Sequence, residues 1–291
     1  MGVQNKWTVL LVMMLPTAFV SRAWGRIVRW RRPRWLVDLL KKNFVRVTGI
    51  DLGEAEQPLE AYACLEDLFV RRLRVGARTI DARTDAVVSP VDGMIGELGT
   101  VEQGTLLQVK GCPYELAALL GDDSAAARME RGTYVTIYLA PHNYHRIHAP
   151  LGAAIREAVY LPGRLLPVFR AATAMIPGLF VRNERIVTYF ELAHGKRAAL
   201  VKVGATLVGR MTVTYDDALR TNARRWRKRQ RRRYDPAVRV VKGDELGAFE
   251  LGSTVVFVAE RGALTLDACA PGTAVRVGER IGTLRGSDAH A

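Results

Sequence analysis

From about Thr79 onward the chain is a succession of short runs rich in Val, Ile, Thr and Tyr and punctuated by glycine, and this texture limits the fold more than any other feature. The runs read AVVSPVDGMIGELGTV, TLLQVKG, YVTIYLAP, ALVKVGATLVGRMTVTY, STVVFVAE and TAVRVGERIGTL. β-Branched and aromatic residues suit a pleated, half-buried surface, and glycine supplies the turns between strands. Helical pieces among them, such as PYELAALLG, are brief. Ahead of this region, residues 35–48 (WLVDLLKKNFVRVT) and 58–74 (PLEAYACLEDLFVRRLR) space apolar residues three and four apart, which predicts amphipathic helices. The expected fold class is α+β, a mostly antiparallel β core preceded by amino-terminal, membrane-facing helices. Three divisions follow: a membrane-anchoring basic and aromatic segment, 1–34, a helical region, 35–78, and a β-rich domain, 79–291.

A chain of 291 residues is long enough for a sizeable core, and its formal charge of +14 is local rather than diffuse. Seven Lys or Arg and no acidic residue precede Asp38, and RRWRKRQRRR at 224–233 holds eight more basic residues. Without those two stretches the body is close to neutral. Residues 7–20 (WTVLLVMMLPTAFV) fall short of the roughly 20 apolar residues of a comfortable span. A signal peptide is one reading; the arginines that follow and the lack of a small-x-small cleavage site argue against it. The better reading is a monotopic anchor, with Trp24, Trp30 and Trp35 at headgroup level and arginines facing anionic lipid on the cytoplasmic side. The 224–233 run reads as a solvated loop or as an attractor of anionic lipid or acidic substrate. Nucleic acid ranks last, because only Trp226 interleaves the charges and no nucleic-acid fold accompanies them. Cys64, Cys112 and Cys269 have no C-x-x-C spacing, which points to a reducing compartment without a disulfide framework.

Three segments carry chemistry. FELGSTVVFVAE (249–260) sets a Gly-Ser pair, Gly252 and Ser253, at the mouth of a strong strand. APHNYHRIHAP (140–150) concentrates His142, His145 and His148, three of the chain's five histidines. Spacing by three on a helix could gather imidazoles on a metal, but the bracketing Pro141 and Pro150 and the missing acidic partner favour general acid–base work; His142 reads as a solvent-facing loop residue. SPVDGMIGEL (89–98) contributes Asp92, which alone would be a turn residue. Together Asp92, His148 and Ser253 supply an orienting carboxylate, a base and a hydroxyl, a set that recurs on unrelated folds. On residues alone a membrane-anchored serine hydrolase with this triad, or a non-catalytic basic membrane-binding protein, stays open.

Eight segments in order, LFVRRLRVGARTID, SPVDG, LQVKGCPYELAALLG, YLAPHNYHRIHAP, YLPGRLLPV, VRNERIV, VGATLVG and KGDELGAFELGSTVV, make the chain resemble the phosphatidylserine decarboxylases, pyruvoyl-dependent membrane enzymes made as self-cleaving proenzymes. The resemblance implies that Asp92 orients His148, that His148 takes the proton of Ser253, and that Ser253 attacks the Gly252 carbonyl. An N-to-O acyl shift, elimination and hydrolysis would then leave a covalent pyruvoyl group at position 253, a large chain 1–252 and a small chain 253–291 that remain associated. Phosphatidylserine would form a Schiff base with this group, lose carbon dioxide and become phosphatidylethanolamine, with neither pyridoxal phosphate nor metal required. His145 is the implied proton donor and carboxylate contact, although His148 could serve in either step. The implied partners are the phospholipid substrate and an anionic membrane surface, not nucleic acid, with a homodimer left open. The implied place is the cytoplasmic side of the cell membrane, peripheral or monotopic. Two departures stand out: Asn143 where the family commonly has Asp, which bears on a local hydrogen bond, and LLPVF at 165–169 where the family usually ends in Ser-Val-Asn, which bears on substrate contacts.

Overall fold

In the computed structural model, residues 24–108, 112–192, 195–206, 210–221, 228–250 and 253–285 are described. The apolar stretch 7–20, residues 224–227 of the basic run and Gly252 lie outside them. Strands occupy Ala86–Val88 (β1), Gly93–Thr100 (β2), Thr105–Gln108 (β3), Cys112–Glu115 (β4), Thr133–Leu139 (β5), Arg146–His148 (β6), Ala153–Leu161 (β7) and Arg185–Glu191 (β8). They continue with Arg197–Val203 (β9), Met211–Val213 (β10), Gln230–Val240 (β11), Glu245–Phe249 (β12), Ser253–Ala259 (β13), Leu264–Leu266 (β14), Ala274–Val275 (β15) and Arg280–Leu284 (β16).

Eight strands form one antiparallel sheet in the order β11-β7-β8-β9-β13-β5-β2-β15. Every residue of β13, Ser253 to Ala259, is buried, as its unbroken apolar run requires of a strand covered on both faces. It pairs β5 from Ser253 opposite Leu139 to Ala259 opposite Thr133, and β9 on its other side. The core packs around it, with Ile95, Ile137, Leu200, Val255 and Phe257 among its members. A small sheet, β10-β12-β6, places Arg146–His148 against Glu245–Phe249, and another joins β1, β16 and β14. The architecture is α+β, mostly antiparallel, with few helices.

Helix Arg34–Thr48 (α1) ends at Gly49, whose φ of 76° only glycine adopts readily and whose N–H donates to the Val45 carbonyl at 2.8 Å. The second expected helix does not form over 58–74. It breaks into a 3-10 turn, Leu59–Ala61, and a short helix, Leu65–Phe69 (α2), separated by extended Cys64. The cause is tertiary: buried Lys41 of α1 donates from Nζ to the carbonyls of Leu59 (2.9 Å) and Tyr62 (2.7 Å), acceptors that a continuous helix would have used itself. Val28, Tyr62, Leu65, Leu68 and Phe69 then close a second, small core.

The basic run also differs from a loop. Residues 230–233 belong to β11, at the edge of the large sheet. Arg231 bonds the Glu157 carboxylate at 2.6 Å and also meets Asp122, and Arg232 bonds Asp216 at 2.9 Å. Much of the charge at this end of the run is therefore answered within the protein. No helix among the described residues is long and apolar enough to cross a membrane.

Candidate active site

Strand register brings the singled-out residues to one end of the large sheet. Ser253 at the start of β13 faces Leu139 at the end of β5, and Met94 near the start of β2 faces Tyr138, so Asp92 and Ser253 flank the same strand end. The chain leaving β5 runs through residues 140–145 into β6, which delivers His145 and His148 to that neighbourhood. His145 accepts through its backbone carbonyl from Phe249 N–H at 2.9 Å, at the end of β12 that leads toward Ser253. His148 lies opposite Glu245, at the other end of β12, and its N–H donates to Pro90 O at 2.7 Å.

Among the described residues no hydrogen bond joins Asp92 to His148, or either imidazole to Ser253. The Asp92 carboxylate is held by Arg78, whose Nε donates to Oδ1 at 2.9 Å, and by the Val277 N–H at 2.9 Å. Arg78 also reaches Glu54 at 2.8 Å. Desolvation tends to lower the Arg78 pKa, but its two carboxylate partners raise it above the ordinary guanidinium value. The group that orients His148 is a backbone carbonyl: Nδ1 lies 2.7 Å from Gly243 O, and as carbonyls only accept, Nδ1 carries the proton. Nε2 is thus the basic nitrogen, 3.3 Å from the Tyr144 hydroxyl that donates to it. Burial pushes the Tyr144 phenol up to about 12, keeping it a donor. Burial lowers the His148 pKa, against the opposing pull of the Gly243 carbonyl and the charges of Glu245 and Asp92.

His145 occupies a different setting. It is fully buried, its ring 4.1 Å from that of Phe69 between centroids, and Nδ1 donates to Asn143 O at 2.9 Å. Nε2 has no hydrogen-bond partner. Burial, reinforced by the positive charge of Arg71, lowers its pKa to about 3. Arg71 is itself buried, donating from Nη2 to His142 O at 3.1 Å while Nε and Nη1 go unpartnered. The Ser253 hydroxyl is fully buried and likewise without a partner. His142 is exposed, and the Asn143 side chain closes the local turn by accepting from Ala140 N–H at 2.7 Å. Among the described residues no three His, Cys, Asp or Glu side chains are disposed to hold a metal ion.

On the other side of β13, a largely apolar cavity of about 280 Å³ is lined by Met94, Tyr138, Val168, Phe180 and Thr254, among others. Thr254 follows Ser253, and side chains alternate along a strand, so the cavity and the Ser253 hydroxyl lie on opposite faces. The LLPVF stretch places Val168 in its wall. Phe69, Arg71, Arg78, Tyr144 and Gly243 escaped the sequence reading as site residues. All five sit in the quoted segments LFVRRLRVGARTID, YLAPHNYHRIHAP and KGDELGAFELGSTVV, which were a usable signal for them.

A family model described as phosphatidylserine decarboxylase matches residues 65–283. The chain is 45% identical over 270 residues to the phosphatidylserine decarboxylase proenzyme of Anaeromyxobacter sp. (strain K), spanning 92% of this chain and 95% of that relative. It is 40% identical over 275 residues to the phosphatidylserine decarboxylase proenzyme of Myxococcus xanthus (strain DK1622), spanning 94% and 97%. It is also 40% identical over 281 residues to that of Azotobacter vinelandii (strain DJ / ATCC BAA-1303), spanning 92% and 95%. With a matching family description over three-quarters of its length and relatives this similar end to end, the chain belongs to the phosphatidylserine decarboxylase family.

Proposed function

We propose that this chain converts phosphatidylserine to phosphatidylethanolamine and carbon dioxide through a pyruvoyl group that it makes from Ser253 by cutting its own backbone after Gly252. The observation that carries the assignment of Ser253 is its hydroxyl: fully buried, without a partner, at the head of the central strand. Such an orphaned group costs about 1–3 kcal/mol; Thr254 beside it is orphaned too, and what sets Ser253 apart is the glycine that precedes it, whose carbonyl its oxygen can attack. The position therefore suits a residue that is to be converted into something else.

His148 is assigned as the base of self-cleavage. Asp92, Glu245 and the Gly243 carbonyl all favour its protonated form, whereas Arg71 opposes protonation of His145. Asp92 acts on His148 through its charge rather than through a hydrogen bond, and Arg78 and Val277 keep that charge in place. His148 takes the Ser253 proton and the oxygen attacks the Gly252 carbonyl carbon. The amide C–N bond breaks as the C–O bond forms, giving an ester and a free amine on residue 253. Loss of the α-proton of residue 253 then expels the Gly252 carboxylate, and one water releases ammonia and leaves the ketone.

The pyruvoyl ketone supplies an electron sink for the bond that breaks as carbon dioxide departs. His145 is assigned to contact the substrate carboxylate and return the proton. Its low pKa keeps it neutral in the free protein, and an arriving anion offsets the field of Arg71 and favours its charged form. Phe69 holds the ring and keeps water away from it.

Membrane association is read from the amino-terminal unit. Trp30, Trp35, Leu39 and Val47 are exposed there, among the arginines of residues 26–46, a combination suited to an anionic headgroup layer. The reading is a peripheral or monotopic enzyme on the cytoplasmic side of the cell membrane. The two chains remain associated because β13 is hydrogen-bonded between β5 and β9.

Intact-mass measurement of freshly purified protein tests the central claim. Two chains are expected, the smaller of about 4 kDa, with release of carbon dioxide from phosphatidylserine vesicles. A single uncut chain that still releases carbon dioxide would overturn it.

A further inference from the structure

Glu250 stands three residues before Ser253 and is gripped from two directions. Arg210 donates from Nε to Glu250 Oε1 at 2.7 Å, and the Glu250 N–H returns a bond to Arg210 O at 2.9 Å. The second grip comes from 221 positions away in sequence: Arg29 Nη2 donates to Glu250 Oε2 at 2.8 Å. The same guanidinium donates from Nε to Glu66 Oε1 at 2.7 Å, in α2. Glu66 N–H bonds Val28 O at 3.0 Å, and Val28 is sealed into the small amino-terminal core with Phe69, whose ring meets His145. Arg29 is thus the cation between two carboxylates, one on the amino-terminal unit and one on the strand end that runs into the reactive serine.

We propose that Arg29 is a positioning residue for self-cleavage: by bridging Glu66 and Glu250 it locks the end of β12 to the amino-terminal unit, so that the bond before Ser253 is cut at full rate only when that unit is docked. Maturation then waits until the membrane-facing part has packed against the catalytic body, and a half-assembled chain is not committed. The electrostatics agree with a bridge that must stay occupied. Burial and then the nearby Glu250 charge raise the Glu66 pKa to about 7 even with Arg29 in place, so removing the cation leaves two facing carboxylates. Arg29 keeps 43% of its side chain exposed, so it can be truncated without opening a cavity. The proposal rests on the reading of Ser253 given above.

The test follows newly synthesised full-length chain in a cell-free translation reaction, reading the fraction converted to two chains over time on denaturing gels. Arg29→Met and Glu250→Gln are expected to cleave roughly 10- to 100-fold more slowly than wild type, the scale of a misplacement of about an ångström. Arg29→Lys, which keeps the charge and most of the reach, is expected to recover most of the rate. Urea unfolding of each substitution in the Ser253→Ala background checks folding, and should Arg29→Met fail there, Glu250→Gln carries the test alone. Cleavage of both variants at the wild-type rate overturns the bridge, as does an Arg29→Lys variant as slow as Arg29→Met. A wild-type chain that never becomes two removes the Ser253 reading itself, which is a different failure.

Discussion

The Asp92 side and the Ser253 side of the site share one end of one sheet, yet they treat polar atoms in opposite ways. Around Asp92 and His148 each functional group has a partner: Arg78, the Val277 N–H, the Gly243 carbonyl and the Tyr144 hydroxyl. Around Ser253 and His145 the hydroxyl, the Nε2 and two nitrogens of Arg71 are buried with none. Partnered groups hold positions, and unpartnered buried ones keep bonding capacity in reserve for atoms that arrive or form during reaction. The difference agrees with the roles proposed for Ser253 and His145, while His148, proposed as the base, belongs to the partnered side because a base must be aimed.

Substitutions can break or sharpen that contrast. The largest effect is expected for Ser253→Ala, which should leave a single chain and reduce carbon dioxide release by on the order of 10⁴-fold or more, while its urea midpoint shows a fold at least as stable as the parent precursor. A strongly destabilised Ser253→Ala chain would mean the hydroxyl had a structural partner after all. Next, His145→Ala is expected to preserve cleavage on denaturing gels and lower turnover by about 10²- to 10³-fold; normal turnover would take His145 out of the reaction. On the partnered side part of the loss should appear as stability. Asp92→Asn, measured by urea unfolding in the Ser253→Ala background, should cost about 1–3 kcal/mol, because Arg78 and the Val277 N–H lose a charged acceptor while Arg78 keeps Glu54.

The smallest effect is in pH dependence. His148 must be neutral to accept a proton and its folded pKa is lowered, so the cleavage rate should stay level as pH falls to 6.5 and decline only below it. Both imidazoles have folded pKa values below the unfolded value near 6.5, so the stability linked to them is full above that pH and is lost as pH falls, toward about 3 for His145. A rate that halves above pH 7 would place a different group in the base role.

What was legible in the sequence follows the range of the interactions involved. Ser253 could be singled out as a candidate because glycine, hydroxyl and an apolar run are neighbours, and α1 could be read because its period is local. The His148 orienter could not, since Gly243 lies 95 positions away and contributes only a carbonyl. Strands β7, β8 and β11 were not anticipated because charged residues interrupt β7, flank β8 and dominate β11. Arg185 is buried in β8 only because carbonyls of Ala118, Leu119, Val181 and Asn183 receive its guanidinium, and Arg231 and Arg232 of β11 are matched by Asp122, Glu157 and Asp216 from distant segments. The 58–74 pattern is helical in period, but its carbonyls answer to Lys41. Each misreading is a place where a long-range partner overrode a local preference.

The location of β13 has one more consequence. The proposed cut at its head would put a chain end in the middle of the sheet, and because that end would be a ketone rather than an amine, aminopeptidases and amine-directed labels would find nothing to act on. Heat that separates the proposed fragments would turn recovery into a search between two molecules, one carrying β13 and the other the β5 and β9 that flank it. On that reading the uncut chain would recover at a rate independent of dilution, whereas the cut one would recover more slowly the more it is diluted.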